Sequence, residues 1–505
     1  MLETLWDVFR RSLILNSHRP ALSVGDTTWT YQDLATAVAV AAQTLTEAGV
    51  KPQDRVVLLC ENNASFPVYD LAIMACGAVK IPLNSMLTAS DIGDIARRTT
   101  PRVAVVNPGL AHLATDIPAD CMQIPGEVTA PGHPPVIPPA VGAAGPEDLA
   151  FVGFTGGTTG KPKGIVHRQH PFVLNMFAHV TEGAIAPDEY LLLTTPLPHA
   201  AGLFVLAGLF RGAHVRVEPG FEAEATLRLM EREGITWTFA VPTMIYRMLD
   251  AAEATGVRPT ALRTIQYGAA PISPERLRQA IEVFGPVLQQ LYAQTECPNF
   301  ATSLTKADHV RALNEPTLLS SCGRATLMCE VAIIDDEGHE LGPDEVGEVA
   351  LDSPYVMADY WEDAEGYAKR FAGRWMRTGD VGRMDQEGYV TLVDRANDMI
   401  ISGGMNVYSV EVENVIATHP SVGQVAVVGV PHPDWGEAVH AVIVPALGTT
   451  PTAADLEPFS REHLAAYKRP KSFEFVTELP LTVYGKVDKK ALRAPHWEGV
   501  GRNVG

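Results

Sequence analysis

The sequence predicts an α/β protein: a large N-terminal domain of α/β subdomains plus a β-rich subdomain, followed by a small C-terminal α+β domain. Three observations carry this. The chain has 505 residues, which at about 150 residues per domain suggests two to four domains. Hydrophobic residues make up 46% and charged residues 19%, the balance of a chain with packed cores and not of a disordered one. Short apolar runs alternate with helical patterns up to Tyr292, as in parallel α/β architecture.

The elements follow in order. Thr30-Tyr-Gln-Asp33 is a capping-box variant, and Leu34, Val38, Ala41 and Leu45 continue it at helical spacing until Gly49. Arg55–Cys60 and Val103–Asn107 are buried strands. Residues 131–146 hold six prolines and form an extended connection. Leu149–Thr155 is a strand running into a glycine loop, and Ala223–Arg232 is a helix. Thr264–Gly268 and Val287–Tyr292 are strands flanking a helix at Pro274–Phe284. From Val331 to Val393 short strands and turns form the β-rich subdomain. Ser409–His419 is a helix with Val412, Val415 and Ile416 on one face. Val425–Val430 and Ala441–Pro445 are strands, and Asp455–Ala465 is a helix.

Charge and cysteines narrow the function. Lys plus Arg is 39 and Asp plus Glu is 59, a net charge of −20, which argues against nucleic acid or an anionic membrane as partner. Leu191–Phe210 is the most apolar stretch, but Pro196, Pro198 and His199 interrupt it as a membrane span. The six cysteines form no CxxC pair and have no histidine cluster beside them, so neither zinc nor a disulfide framework is expected. The N-terminus has no signal-peptide pattern, and a cytoplasmic location is expected.

The sharpest motif is Phe154–Gly164, FTGGTTGKPKG. Thr155, Gly156, Gly157, Thr158, Thr159 and Gly160 offer backbone N–H groups and hydroxyls to a phosphate, and Lys163 offers countercharge. Pro162 after Lys161 and the glycine spacing exclude a Walker A loop. Further motifs follow in order: PLPHAAG (196–202), YGAAP (267–271), LYAQTE (291–296), RTGD (377–380), DRANDMIISGGMNVYSVEVE (394–413) and PLTVYGKVDKKAL (480–492).

This ordered set resembles the adenylate-forming superfamily, which includes acyl-CoA synthetases, peptide-synthetase adenylation domains and firefly luciferases; the motifs are most similar to those of aryl- and acyl-CoA ligases. The resemblance implies a large domain over 1–394 and a small mobile domain over 395–505. It also implies ATP, Mg²⁺ and coenzyme A as cofactors. Thr155–Gly160 and Lys163 would hold the β- and γ-phosphates. Tyr292 would pack on adenine beside Gly268, Ala269 and Ala270. Thr295 would touch the α-phosphate, Glu296 would ligate Mg²⁺, and Asp380 and Arg395 would meet the ribose. Lys486 would swing in during adenylation, and Asn397 takes the pivot position, where the family often has Asp or Lys. Gly403 and Gly404 would line the thiol passage. Trp435, Tyr467, Arg469 and Lys471 would hold the nucleotide of coenzyme A.

The acid is expected to lack an α-amine, because His199 is followed by Ala200, Ala201 and Gly202, where amino-acid-activating relatives usually carry an Asp nearby. His199, Ala200, Ala201, Gly268 and Ala293 suggest a wide apolar pocket for an aromatic, alicyclic or medium-chain acid. In 467–493 seven basic residues face three acids; Lys489 and Lys490 fit a solubilising face equally well. The leading reading is an ATP-dependent acid–CoA ligase. A stand-alone enzyme loading a carrier protein, an enzyme specialised for one half-reaction, and a non-enzymatic nucleotide binder are the alternatives, and a homodimer is left open.

Overall fold

The computed structural model describes residues 3–128, 144–155, 162–270, 272–395, 398–403, 405–446, 448–481 and 487–497. Gly156, Gly157, Thr158, Thr159 and Gly160 of the phosphate loop, and Gly404, all expected site positions, lie outside them. So do Asn397, Lys486, most of the proline-rich connection and the side chain of Arg395.

Among the described residues the strands form four sheets. The nine-stranded sheet has a parallel centre running Leu288–Gln294, Thr264–Gly268, Trp237–Ala240, Tyr190–Leu193, His214–Val217 and Pro20–Val24, with antiparallel strands at both edges. The seven-stranded sheet places Leu149–Thr155, Val79–Pro82, Arg55–Leu59, Val103–Val106 and Met122–Pro125 parallel to one another. Alternation of side chains along each strand divides the core into layers. Val56 and Leu58 join Leu191 and Leu193 in one large cluster. Val57 and Leu59 face a second, with Ile92 and Ile95 of the helix Ala89–Thr99. Leu192 and Ile265 face a third, with Leu227, Ile245 and Leu277. The helix Ser65–Ala75 of the large cluster is covered on all sides, every residue of it buried. The apolar stretch Leu191–Phe210 is a buried strand followed by one such helix, Gly202–Arg211. No helix among the described residues is long and apolar enough to cross a membrane.

The capping box holds: Thr30 and Asp33 start the helix Tyr31–Glu47. The same T-x-x-D pattern caps helices at Thr88, Thr305 and Thr452. The strands Leu149–Thr155 and Thr264–Gly268 and the helix Pro274–Phe284 have the expected bounds. The expected helix Ser409–His419 is shorter, Ser409–Ile416. The N–H groups of Thr418 and His419 turn back to the carbonyls of Val415 and Ile416, tightening the chain out of the α-helix. All six cysteines are buried and free.

The β-rich segment is a five-stranded antiparallel sheet that ends in Val390–Arg395. A further five-stranded sheet follows from Ile400, with Ser472–Phe475 added parallel to Gly436–Pro445. Its two faces carry separate clusters, Val439, Ala441 and Ile443 on one and Ala426 and Val442 on the other.

Candidate active site

Thr295 and Glu296 form the tip of a tight hairpin between the antiparallel strands Leu288–Gln294 and Cys297–Leu304, where Gln294 pairs with Cys297. Two contacts fix the tip from outside. His167 Nε2 lies 2.9 Å from the Thr295 carbonyl, and the Met357 N–H donates to the Glu296 carbonyl at 2.7 Å. Burial lowers the His167 pKa to about 4, so the ring stays neutral and donates this bond. The Tyr360 hydroxyl donates to Glu296 Oε1 at 2.9 Å, and Arg370 Nη2 stands 3.6 Å from the same oxygen.

Asp380 sits behind this hairpin. The Tyr292 hydroxyl (2.7 Å) and the Gln294 amide (2.8 Å) both donate to Asp380 Oδ2. Burial, then the Asp380 carboxylate, raise the Tyr292 pKa well above its ordinary value, which keeps the phenol a donor. Arg370 Nη2 closes the group, donating to Gln294 Oε1 and the Thr378 carbonyl, each at 3.0 Å. Tyr292 and Asp380, expected at adenine and ribose, are thus brought together. Ala269 follows Gly268 with φ +68°, a left-handed conformation that costs a non-glycine residue energy and clusters at functional sites. Thr155 and Lys163 face each other across the strands entering and leaving the phosphate loop. Lys163 Nζ lies 3.8 Å from Asp363 and 4.9 Å from the Tyr360 ring centre.

His199 lies at a kink within Leu197–Ala201, its own backbone non-helical (φ −116°, ψ −152°), and the Asn84 amide approaches its Nε2 to 2.7 Å. Ala200 and Ala293 are half-buried. Two of the other expected lining residues are small for a different reason. Ala201 is buried in the large core. A Cβ on Gly268 would meet the Leu291 carbonyl at 2.5 Å, so this glycine allows close strand packing and does not widen a pocket.

On the C-terminal sheet, the Gly403 N–H donates to the Trp435 carbonyl at 2.9 Å, and a Cβ on Gly403 would lie 3.6 Å from the indole. His432 stacks on Trp435 with ring centres 4.1 Å apart, and Lys471 Nζ is 5.0 Å from the Trp435 ring centre. Arg469 and Lys471 donate to backbone carbonyls of Leu464, Arg461 and Ala466. Tyr467 packs against the domain core. Among the described residues, Lys468, Lys489 and Arg493 of the basic island are each paired with an acid. Lys468 is held by both Glu411 oxygens, and Arg493 pairs with Asp398 at 3.0 Å. Lys489 is not on a solubilising face, one of the two readings of its charge: it is largely buried, 2.7 Å from Glu413 and 2.6 Å from Ser409 Oγ.

Family comparison agrees with this geometry. The model of the AMP-binding enzyme matches residues 9–361, and that of the AMP-binding enzyme C-terminal domain matches residues 411–486. The chain belongs to the AMP-binding enzymes, the adenylate-forming superfamily. A medium/long-chain-fatty-acid–CoA ligase, FadD8, of Mycobacterium tuberculosis is 37% identical over 411 residues, 80% of this chain and 69% of that protein. A feruloyl-CoA synthase of an Amycolatopsis species is 34% identical over 496 residues, 97% of this chain and 98% of that one. Among solved structures, the amide bond synthetase McbA from Marinactinospora thermotolerans matches with TM-score 0.88 and 33% identity, over 96% of this chain and 99% of that one. Such AMP-binding enzymes share the large N-terminal and small C-terminal domains seen here. This chain is thus an enzyme of the superfamily that includes the AMP-forming acyl-CoA synthetases.

Sequence reasoning missed Gln294, Tyr360, Arg370 and His432. Gln294 lies inside LYAQTE, but its bond to Asp380 joins residues 86 apart. Arg370 precedes RTGD and touches Gln294 from 76 residues away, a relation no local pattern announces. Mg²⁺ fits the donor set: Glu296 supplies a carboxylate that touches one neutral hydroxyl and a cation standing off at 3.6 Å, and phosphate oxygens complete such a shell.

Proposed function

We propose that this AMP-binding enzyme is an ATP-dependent acid–CoA ligase for a bulky apolar carboxylic acid, aromatic, alicyclic or medium-chain. The grouping of Gly403, Trp435, His432 and Lys471 carries the choice of acceptor. It offers an aromatic surface for an adenine and a cation for phosphate beside a glycine that lets a thin chain pass.

In the first half-reaction a carboxylate oxygen attacks the α-phosphorus of ATP and pyrophosphate leaves. Tyr292 and Asp380 bind adenosine, Asp380 being oriented for the ribose by Tyr292 and Gln294. Thr295 meets the α-phosphate, and Lys486 places its ammonium where negative charge develops. Mg²⁺ bound by Glu296 supplies charge neutralisation of the phosphates. In the second, the coenzyme A thiolate attacks the acyl carbonyl and AMP leaves. Residues 395–505 pivot about Asn397 between the two arrangements. The acid contacts His199, Ala200 and Ala293.

The test is mass-spectrometric detection of coenzyme A thioesters from an acid panel, with ATP and with premade acyl-adenylates. Carrier protein and amine acceptors run in parallel, the latter because of the likeness to an amide bond synthetase. Thioester from ATP and an apolar acid supports the reading. Turnover of adenylates alone favours a one-step enzyme, and preference for amine or carrier protein overturns coenzyme A as acceptor.

A further inference from the structure

We propose that His440, Glu474 and His496 form a binding site for a divalent transition-metal ion, Zn²⁺ being the type. It uses none of the residues assigned to nucleotide, acid or thiol. The three come from three elements: the strand Gly436–Pro445, the strand Ser472–Phe475 and the helix Lys489–Trp497. Their ligand atoms all lie within 4.8 Å of one another. Tetrahedral Zn²⁺ with bonds of about 2.0–2.1 Å needs donors about 3.3 Å apart. His440 Nε2 and Glu474 Oε2 stand 3.4 Å apart, and the His440 and His496 ring centres are 4.8 Å apart. His496 is exposed at its helix and closes the remaining gap by side-chain rotation.

The surroundings of His440 suit a ligand. The ring is 5% exposed, and its Nδ1 lies 2.7 Å from Ser472 Oγ. A serine hydroxyl can accept from Nδ1–H, which leaves the Nε2 lone pair facing the Glu474 carboxylate. Two acceptors then meet, and a cation between them removes the conflict. In the other tautomer Nε2–H reaches Glu474 only at 3.4 Å, long for a charge-assisted bond. Metal-ligating histidines usually donate their second ring N–H to a carboxylate, backbone carbonyl or water, and the Ser472 hydroxyl takes that acceptor's place here. Two imidazoles and one carboxylate select Zn²⁺ or its neighbours over Mg²⁺ or Ca²⁺. The exposed side leaves a fourth position for water. Bound metal would fasten the C-terminal helix to the sheet, adding to the Trp497–Gly429 hydrogen bond at 3.0 Å and the Arg493–Asp398 pair.

The experiment uses untagged full-length protein stripped with chelator and titrated calorimetrically with ZnCl₂. Co²⁺ substitution is read by visible absorption. Wild type should bind one ion per chain with tetrahedral Co²⁺ bands, and Zn²⁺ should raise its melting temperature. His496→Ala, at an exposed position, should lose the binding, the bands and the thermal shift. Ser472→Ala should weaken affinity about 10–100-fold. No saturable Zn²⁺ binding in wild type, or unchanged affinity and stoichiometry in His496→Ala, overturns the site.

Discussion

Tyr292→Phe isolates one hydrogen bond of the nucleotide site. The ring remains for adenine, and only the hydroxyl that donates to Asp380 Oδ2 at 2.7 Å is lost. A hydrogen bond to a charged group contributes about 1.5–3 kcal/mol, and 1.36 kcal/mol is tenfold in rate. The upper bound on the loss in kcat/KM for ATP is therefore about 100-fold. Asp380 keeps the Gln294 amide at 2.8 Å, so the expected loss is about tenfold. The assay is pyrophosphate release at varied ATP, with melting temperature as the folding control. 2′,3′-Dideoxy-ATP is the discriminating substrate. If Tyr292 acts by orienting Asp380 toward the ribose hydroxyls, the mutation costs little with an analogue that lacks them. Equal losses with ATP and the dideoxy analogue would refute orientation and leave only a general packing effect. An unchanged kcat/KM would refute the assignment of Asp380 to the ribose.

Lys486→Ala should slow adenylation about 10²–10³-fold and largely spare thioester formation from a supplied acyl-adenylate; equal losses in both single-turnover assays would count against its role. Arg469→Ala with Lys471→Ala should raise the KM for coenzyme A without affecting pyrophosphate release, and should cost dephospho-coenzyme A less. Unchanged coenzyme A kinetics would make both residues local supports of the backbone they bond. Stability should fall with acid between pH 6.5 and about 4. Burial lowers His167, His179 and His309 to about 4 while the unfolded chain titrates near 6.5, so in that window the unfolded state binds more protons and stability rises with pH. Each contributes up to about 1.4 kcal/mol per pH unit, and denaturation midpoints flat from pH 6.5 to 5 would contradict their buried neutral state.

What could be read from sequence was what the chain encodes locally. Thr30 and Asp33 cap a helix because both partners lie within one turn. Thr295 and Glu296 are adjacent, so their motif survives as a hairpin tip. Small side chains were ambiguous, because a glycine that opens a pocket and one that lets strands approach look the same. Gly268 is of the second kind, its Hα facing the Leu291 carbonyl. Charge was ambiguous in the same way. Lys489 looked like surface until the fold placed Glu413 beside it from 76 residues away.

Arg370 shows the deeper limit. It joins Gln294, Thr378 and Glu296, from separate strands and a hairpin tip. Removing it leaves Gln294 Oε1 without this donor and takes away the cation 3.6 Å from Glu296. On the roles proposed for Asp380 and Glu296, nucleotide orientation and metal ligation would therefore be coupled through one guanidinium. That coupling is a property of the packed sheets, and its fork of donors explains why a lysine, a single-point charge, would not replace it.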